Sequence, residues 1–183
     1  DIQKKKPTAM PGVPTMYNAL NNCEDVTNYD LQSLDICISG GGPLPVEVKK
    51  QFEKLTGCVV VEGYGLTETS PVVSANPVDA ENRPGTIGLP MPNTEVLIED
   101  MENPGKFLGV GERGELCVKG PQVMKGYYKR KEATEETIVN GMLKTGDVAI
   151  IDEDGYIRIV DRIKEMIIAG GFKIYPRHVE ECL

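Results

Sequence analysis

Apolar positions fall in short runs separated by glycine, proline and charge, and their spacing changes character midway. Pro14-Thr15 opens a predicted helix that runs through Leu20, with Thr15 as its N-cap. Leu34-Asp35-Ile36-Cys37-Ile38 reads as a short strand, ended by Ser39-Gly40-Gly41-Gly42. Pro45 sits in a tolerated first helical turn, and Val48, Phe52 and Leu55 continue at helical spacing until Gly57. Residues 58–61 form the next strand. Strand, helix and strand in this order predict a parallel βαβ unit, whose ligands collect at the carboxyl ends of the strands. The glycines of 40–42 and of 63–65 lie at two such ends.

From about Pro84 the runs become short and alternating: Glu95-Val96-Leu97-Ile98, then Gly114-Glu115-Leu116-Cys117-Val118. Val148-Ala149-Ile150-Ile151 and Tyr156-Ile157-Arg158-Ile159-Val160 flank Asp152-Glu153-Asp154-Gly155, a hairpin signal. This section predicts an antiparallel, barrel-like β-structure with one short helix over 132–139. A strand over 166–169, a Gly170-Gly171 turn and a helix opening at Pro176 follow. The fold class is α/β, with a sheet part over 1–83 and a β-barrel part over 84–161. Without an initiating Met, and stopping inside an amphipathic pattern, the sequence reads as a piece of a longer chain.

Composition narrows the partners. With 183 residues, 40% hydrophobic and 26% charged, the chain is globular in character, and no apolar run is long enough for a membrane span or a signal segment. A net charge of −8 argues against nucleic acid as a ligand. Five cysteines (23, 37, 58, 117 and 182) without CxxC spacing fit a reducing compartment and small buried side chains. A single histidine, His178, falls at helical spacing as an exposed residue and leaves no multi-histidine metal site. Ser39 has neither a GxSxG elbow nor a nearby base to make it a nucleophile.

Three stretches offer chemistry. In SGGGPLP (39–45) the absence of Cβ atoms lets a flat ring or a phosphate approach the backbone, although on this motif alone a strand-to-helix glycine turn is the plainer reading. In YGLTET (64–69) Tyr64 offers an aromatic face, Thr67 a hydroxyl for a phosphate oxygen, and Glu68 a hard carboxylate suited to Mg²⁺. Capping of a helix by Thr and Glu is the alternative, and it leaves an aromatic between two glycines unexplained. In LKTGD (143–147) Asp147 follows a Thr-Gly turn immediately before a strand, where a carboxylate can accept bonds from two neighbouring hydroxyls such as those of a ribose. Taken alone, Asp147 reads as a turn residue and Asp161-Arg162 as a surface ion pair.

In one order, SGGGPLP, EGYGLTETSP, GELCVKGPQVMKGYY, LKTGD and VDRIKEMIIAGGFKIYP span almost the whole chain. That order resembles the adenylate-forming (AMP-binding) enzymes: acyl-CoA synthetases, beetle luciferases and peptide-synthetase adenylation domains. Within them it looks most like the bacterial long-chain fatty-acid–CoA ligases. The resemblance implies ATP-dependent activation of a fatty acid to acyl-AMP and its transfer to CoA, with Mg²⁺ required. It implies Gly40, Gly41 and Gly42 along the adenine and beside the acyl channel, Tyr64 stacked on the adenine with Gly65 beside it, Thr67 on the α-phosphate and Glu68 on Mg²⁺. Asp147 and Arg162 would bind the ribose hydroxyls, and residues 162–183 would be the hinge and the start of the small α+β C-terminal domain, with Lys164 matching the hinge. Gly170, Gly171 and Phe172 match the loop that faces the acyl-adenylate during thioester formation.

The family's Lys-containing phosphate loop normally precedes the region present here, and its catalytic lysine follows it. The expectation is therefore an active parent ligase and an inactive 183-residue piece. The parent is expected in the cytoplasm, with peripheral association at the inner membrane face, and the piece to self-associate through cut surfaces. Two other readings stay open. One is an adenylating enzyme for another carboxylate (an aromatic or short acid, or one passed to a carrier protein); the other is a non-catalytic nucleotide-binding or interaction module on the same scaffold.

Overall fold

The computed structural model describes residues 1–165, 167–169, 172–174 and 176. Met166, Gly170, Gly171, the helix expected beyond Pro176, His178 and Cys182 lie outside these residues. The chain divides into two compact units: Asp1–Gly65 with Ser74–Leu89, and Leu66–Val73 with Pro90–Leu183.

In the first unit, a helical turn α1 (Ile2–Lys5) leads into β1 (Ala9–Gly12), α2 (Pro14–Asn21), β2 (Ile36–Ser39), α3 (Val46–Thr56) and β3 (Val59–Gly65). The three strands are parallel and in register, with Met10 opposite Cys37 and Cys37 opposite Val60. The sheet order is β1-β2-β3-β4-β5, to which β4 (Val72–Ala75) and β5 (Leu89–Pro90) give their Ser74–Ala75 and Leu89 ends. β1 was not foreseen from the apolar pattern. Its Pro11 has no N–H to donate, a defect that an edge strand tolerates, and β1 is the edge.

The helices cover the buried face of this sheet. Tyr17 of α2 and Phe52 of α3 meet edge to face, ring centroids 5.0 Å apart, among Leu34, Cys37, Leu44, Cys58 and Val60. The Tyr17 hydroxyl donates to the Ile38 carbonyl at 2.9 Å, so its polar tip is satisfied at the sheet. Complete burial of Phe52 contributes roughly 2–3 kcal/mol of apolar transfer. Thr15 is not the cap of α2: Val13 holds that position and Pro14 occupies the first turn, where its missing N–H costs nothing. Pro45 likewise lies one place earlier than expected, as the residue preceding α3.

β3 also differs from expectation. It does not stop at residue 61 but stays extended through Gly63-Tyr64-Gly65. Pairing explains this: Glu62 stands opposite Ser39 on β2, and its carbonyl accepts the Asn76 N–H at 2.8 Å.

The second unit is antiparallel. β6 (Glu95–Glu99), β7 (Gly114–Lys119), β9 (Met142–Ile151) and β10 (Ile157–Arg162) lie in the order β10-β9-β7-β6, and β8 (Ile138–Val139) pairs with β9. β7, an inner strand, buries Leu116, Cys117 and Val118 in succession. The helix expected over 132–139 is α4 (Lys131–Thr137), after which Ile138 and Val139 turn extended and pair with Leu143 and Met142. The β-branched Ile-Val pair favours that exchange. β11 (Ile167–Ala169) pairs antiparallel with β12 (Phe172–Ile174). Among the described residues no helix is long and apolar enough to cross a membrane.

Candidate functional site

On the first unit, the site residues gather at the carboxyl ends of β2 and β3. The parallel register that sets Ser39 opposite Glu62 carries Gly40 to Gly63, and the Gly40 N–H donates back to the Gly12 carbonyl at 3.1 Å. A methyl group built on Gly40 would meet the Gly63 carbonyl at 3.4 Å, and one on Gly42 would lie 4.0 Å from Pro14. Both are ordinary contacts. Within the fold only Gly41, at φ 78°, requires glycine, so packing does not explain three in a row. Tyr64, two residues beyond the Glu62 that pairs with Ser39, is half-buried, and Gly65 is exposed.

On the second unit, Thr67-Glu68-Thr69 forms one 3₁₀ turn. The capping alternative is resolved residue by residue. Thr69 does that work: its Oγ1 accepts the Leu66 N–H at 2.9 Å and donates to the Pro71 carbonyl at 2.7 Å, wholly buried. Thr67 and Glu68 are therefore spare, Thr67 exposed and Glu68 half-buried. The Tyr127 hydroxyl donates to Glu68 Oε1 at 2.7 Å, which pushes the Tyr127 phenol above its ordinary value, with burial and the carboxylate's charge adding to the bond. The GYY motif alone gives Tyr127 no role, because nothing in one sequence links positions 59 residues apart.

Asp147 and Arg162 are brought together. They face each other across β9 and β10, and Arg162 Nε donates to Asp147 Oδ1 at 3.1 Å. The carboxylate is buried at 4% exposure while the guanidinium side chain is 60% exposed, so the pair presents its donors outward. The Thr-Gly turn expected before a strand is instead a bulge inside β9. Glu115 pairs with Val148 and Cys117 with Lys144, leaving Thr145, Gly146 and Asp147 opposite Leu116 alone. Gly146 supplies φ 74° there.

Every side of the bulge is held. The Thr145 hydroxyl donates to the Leu116 carbonyl at 2.8 Å, and the Gly146 N–H donates to Glu115 Oε1 at 3.1 Å. The Gly146 carbonyl accepts the Ile163 N–H at 2.9 Å, and the Asp147 N–H donates to Thr145 Oγ1 at 3.1 Å. Behind the bulge, the Lys144 ammonium pairs closely with Glu99 and lies 3.9 Å from Glu115. Burial alone would raise the Glu99 carboxyl, but the Lys144 and Gly105 hydrogen bonds bring it below its ordinary value; the same bond raises Lys144. Burial raises Glu115, the Gly146 N–H and Lys144 offsetting this only in part. Lys164 is exposed in the turn just after β10, and of Phe172 only the strand position is described.

The donor set suits Mg²⁺ held through substrate. Among the described residues no group of three His, Cys, Asp or Glu side chains gathers to make a cage, whereas a single carboxylate on a short turn is available in Glu68. Mg²⁺ keeps its waters reluctantly exchanged and is commonly bound by one or two carboxylates plus phosphate oxygens, which this arrangement permits.

A protein-family model of the AMP-binding enzymes matches residues 1–128. The chain is 50% identical over 182 residues to a long-chain-fatty-acid–CoA ligase of Bacillus subtilis, covering all of this chain and 32% of that protein. It is 49% identical to the ligase of the same name from Salmonella typhimurium, again across the whole chain and 32% of the relative. The chain thus spans about a third of the length of the curated relatives it matches. Among solved structures, the anthranilate CoA ligase AuaEII in complex with anthranoyl-AMP superposes with a TM-score of 0.88 at 31% identity, over 98% of this chain and 34% of that one. ATP-bound MatB from Rhodopseudomonas palustris gives 0.87 at 35% identity, over 99% and 36%. These matches, together with the α/β sheet and the antiparallel bulged sheet that carry the motifs, place the chain in the AMP-binding enzyme family.

Proposed function

We propose that the full-length protein activates a long-chain fatty acid as acyl-AMP at the expense of ATP and passes the acyl group to CoA. Identity of 50% across the entire chain to a ligase of that activity is the observation that carries the reading.

The residues support roles in the first step. A fatty carboxylate is ionised near neutral pH, as Asp and Glu are, and needs no general base to act as nucleophile. Its oxygen attacks the α-phosphorus of ATP, and pyrophosphate leaves with the electrons of the broken P–O bond. The obstacle is repulsion between anions, so the protein's task is placement and charge complementarity. Tyr64 stacks on the adenine against the Gly40, Gly41 and Gly42 backbone, with Gly65 leaving room beside it. Thr67 donates to an α-phosphate oxygen. Asp147 accepts from a ribose hydroxyl and Arg162 donates to one, each oriented by the other. Glu68 would hold Mg²⁺, which when bound neutralises phosphate charge. In the second step the CoA thiol attacks the acyl carbon and AMP departs. Lys164, in the turn leaving β10, is the pivot for that change of partner, and Gly170, Gly171 and Phe172 serve the thioester step.

Fatty-acid-dependent exchange of labelled pyrophosphate into ATP tests the reading in the full-length protein. Exchange driven by C14–C18 acids, with CoA-dependent thioester formation, is the expected result; no exchange with any carboxylate overturns it. The likeness to an anthranilate CoA ligase favours a second reading, an adenylating enzyme for another acid. Anthranilate or short acids outcompeting long-chain ones in the same assay would select it.

A further inference from the structure

Two bonds tie Glu68 to one stretch of chain more than fifty residues away. The Met124 N–H donates to the Glu68 backbone carbonyl at 2.8 Å, and three residues later the Tyr127 hydroxyl donates to carboxylate Oε1 at 2.7 Å. Backbone and side chain of Glu68 are thus both held by the same stretch of chain.

Tyr127 is itself held. Its N–H donates to Thr134 Oγ1 at 2.9 Å, and the Thr134 hydroxyl donates to the Arg130 carbonyl at 2.8 Å. Gly126 lets α4 approach: a Cβ built there would stand 2.5 Å from Thr134 Cγ2 and 2.9 Å from its Oγ1, at a φ of 142°. A chain of contact therefore runs from α4 through Thr134 and Tyr127 to Glu68. It gives a physical reason for the glycine and the first tyrosine of KGYY and for Thr134 eight residues beyond the glycine.

We infer that Tyr127 is a positioning residue for Glu68, with Thr134 as its support, fixing Oε1 so that Oε2 is presented to the metal accompanying ATP. The inference rests on the reading of Glu68 as the metal ligand. Outer-shell partners of this kind hold a ligating carboxylate in one orientation, and their loss commonly weakens metal affinity by about 10–100-fold. Tyr127 is 37% exposed, and Glu68 dominates the surroundings of its phenol, with a side-chain hydrogen bond to Thr137 on α4 opposing the rise that the carboxylate causes.

The test is Mn²⁺ binding to the full-length protein with a non-hydrolysable ATP analogue, read by electron paramagnetic resonance, alongside the Mg²⁺ dependence of pyrophosphate exchange. Tyr127→Phe is expected to raise the Mn²⁺ dissociation constant about 10-fold and to shift the Mg²⁺ requirement equally, with exchange recovering at saturating metal. Thr134→Val should move both in the same direction, and Thr134→Ser, which keeps the hydroxyl, should leave both at the parent value. Wild-type metal affinity in Tyr127→Phe, with affinity lost in Glu68→Gln, overturns the inference and leaves the metal assignment standing. Unchanged affinity in Glu68→Gln overturns the metal assignment and the inference with it. Thermal melting of each variant at the parent temperature shows that a shift is local.

Discussion

Arg162 Nε lies 3.1 Å from Asp147 Oδ1 across two paired strands, one partner buried and the other open to solvent. A buried carboxylate with a single-sided cation is a poor device for stability alone, since a well-packed apolar pair would serve as well. It is a good device for holding an acceptor and a donor side by side, which is what vicinal hydroxyls of a ribose require.

That relationship gives the first prediction. Asp147→Asn in the full-length protein should raise the KM for ATP by about 10- to 100-fold, the equivalent of one hydrogen bond to a charged group. Parent enzyme should prefer ATP to 2′- or 3′-deoxy-ATP, and the variant should lose that preference. Initial rates with the three nucleotides check it; an undiminished preference in the variant would remove Asp147 from the ribose.

Tyr64 carries a different expectation. Stacking needs the ring and not the hydroxyl, so Tyr64→Phe should bind ATP as the parent does. Tyr64→Ala should weaken it by about 10-fold, within the range of base–aromatic stacking. Calorimetric titration with a non-hydrolysable analogue separates the two, and equal weakening in both would argue for the hydroxyl instead.

The candidate motifs were legible because each is local. The glycines, the LTET turn and the TGD stretch each sit within a few residues; alone they leave turn and capping readings open, and their joint assignment comes from the resemblance of their order to the AMP-binding enzymes. The long-range partners were not legible. Tyr127 reaching Glu68, and Glu115 supporting Gly146, depend on pairings between elements that periodicity does not report. The Asp147 bulge was misread as a turn for a related reason: a Thr-Gly pair signals φ > 0 without saying whether a strand resumes on the same line. β1 escaped because Met10-Pro11-Gly12 has almost no strand propensity and is an edge strand by position alone. In the first unit's core, by contrast, Phe52 at helical spacing identified the buried face directly.

Core energetics supply a third prediction. Phe52→Ala removes a completely buried ring that meets Tyr17 edge to face, and should destabilise the α/β unit by about 3–5 kcal/mol. Phe52→Leu should cost less than half as much. The first thermal transition of the full-length protein reads the difference.

The acid–base behaviour of the bulge support gives the last. The Glu99 carboxyl is held below its ordinary value, so its stabilising effect is complete above about pH 4.5, the unfolded value, and is lost as pH falls through the folded one. Lys144 is raised, so its share persists at neutral pH and disappears only above its ordinary value of 10.5. Glu115, raised by burial, works the other way: it favours the folded state when protonated and weakens it as pH climbs through its folded value. Replacing Lys144 by Met removes the cation that offsets both acids. The expected loss at pH 7 is roughly 2–3 kcal/mol, less than for a fully buried pair because Lys144 is partly exposed. Lowering the pH toward 4.5 should shrink that loss, since protonating Glu115 relieves the variant more than the parent. The bulge should loosen with its support, so Lys144→Met should also raise the KM for ATP, though by less than Asp147→Asn. A melting point that falls while the KM stays fixed would show that Glu99, Lys144 and Glu115 stabilise the sheet without positioning Asp147.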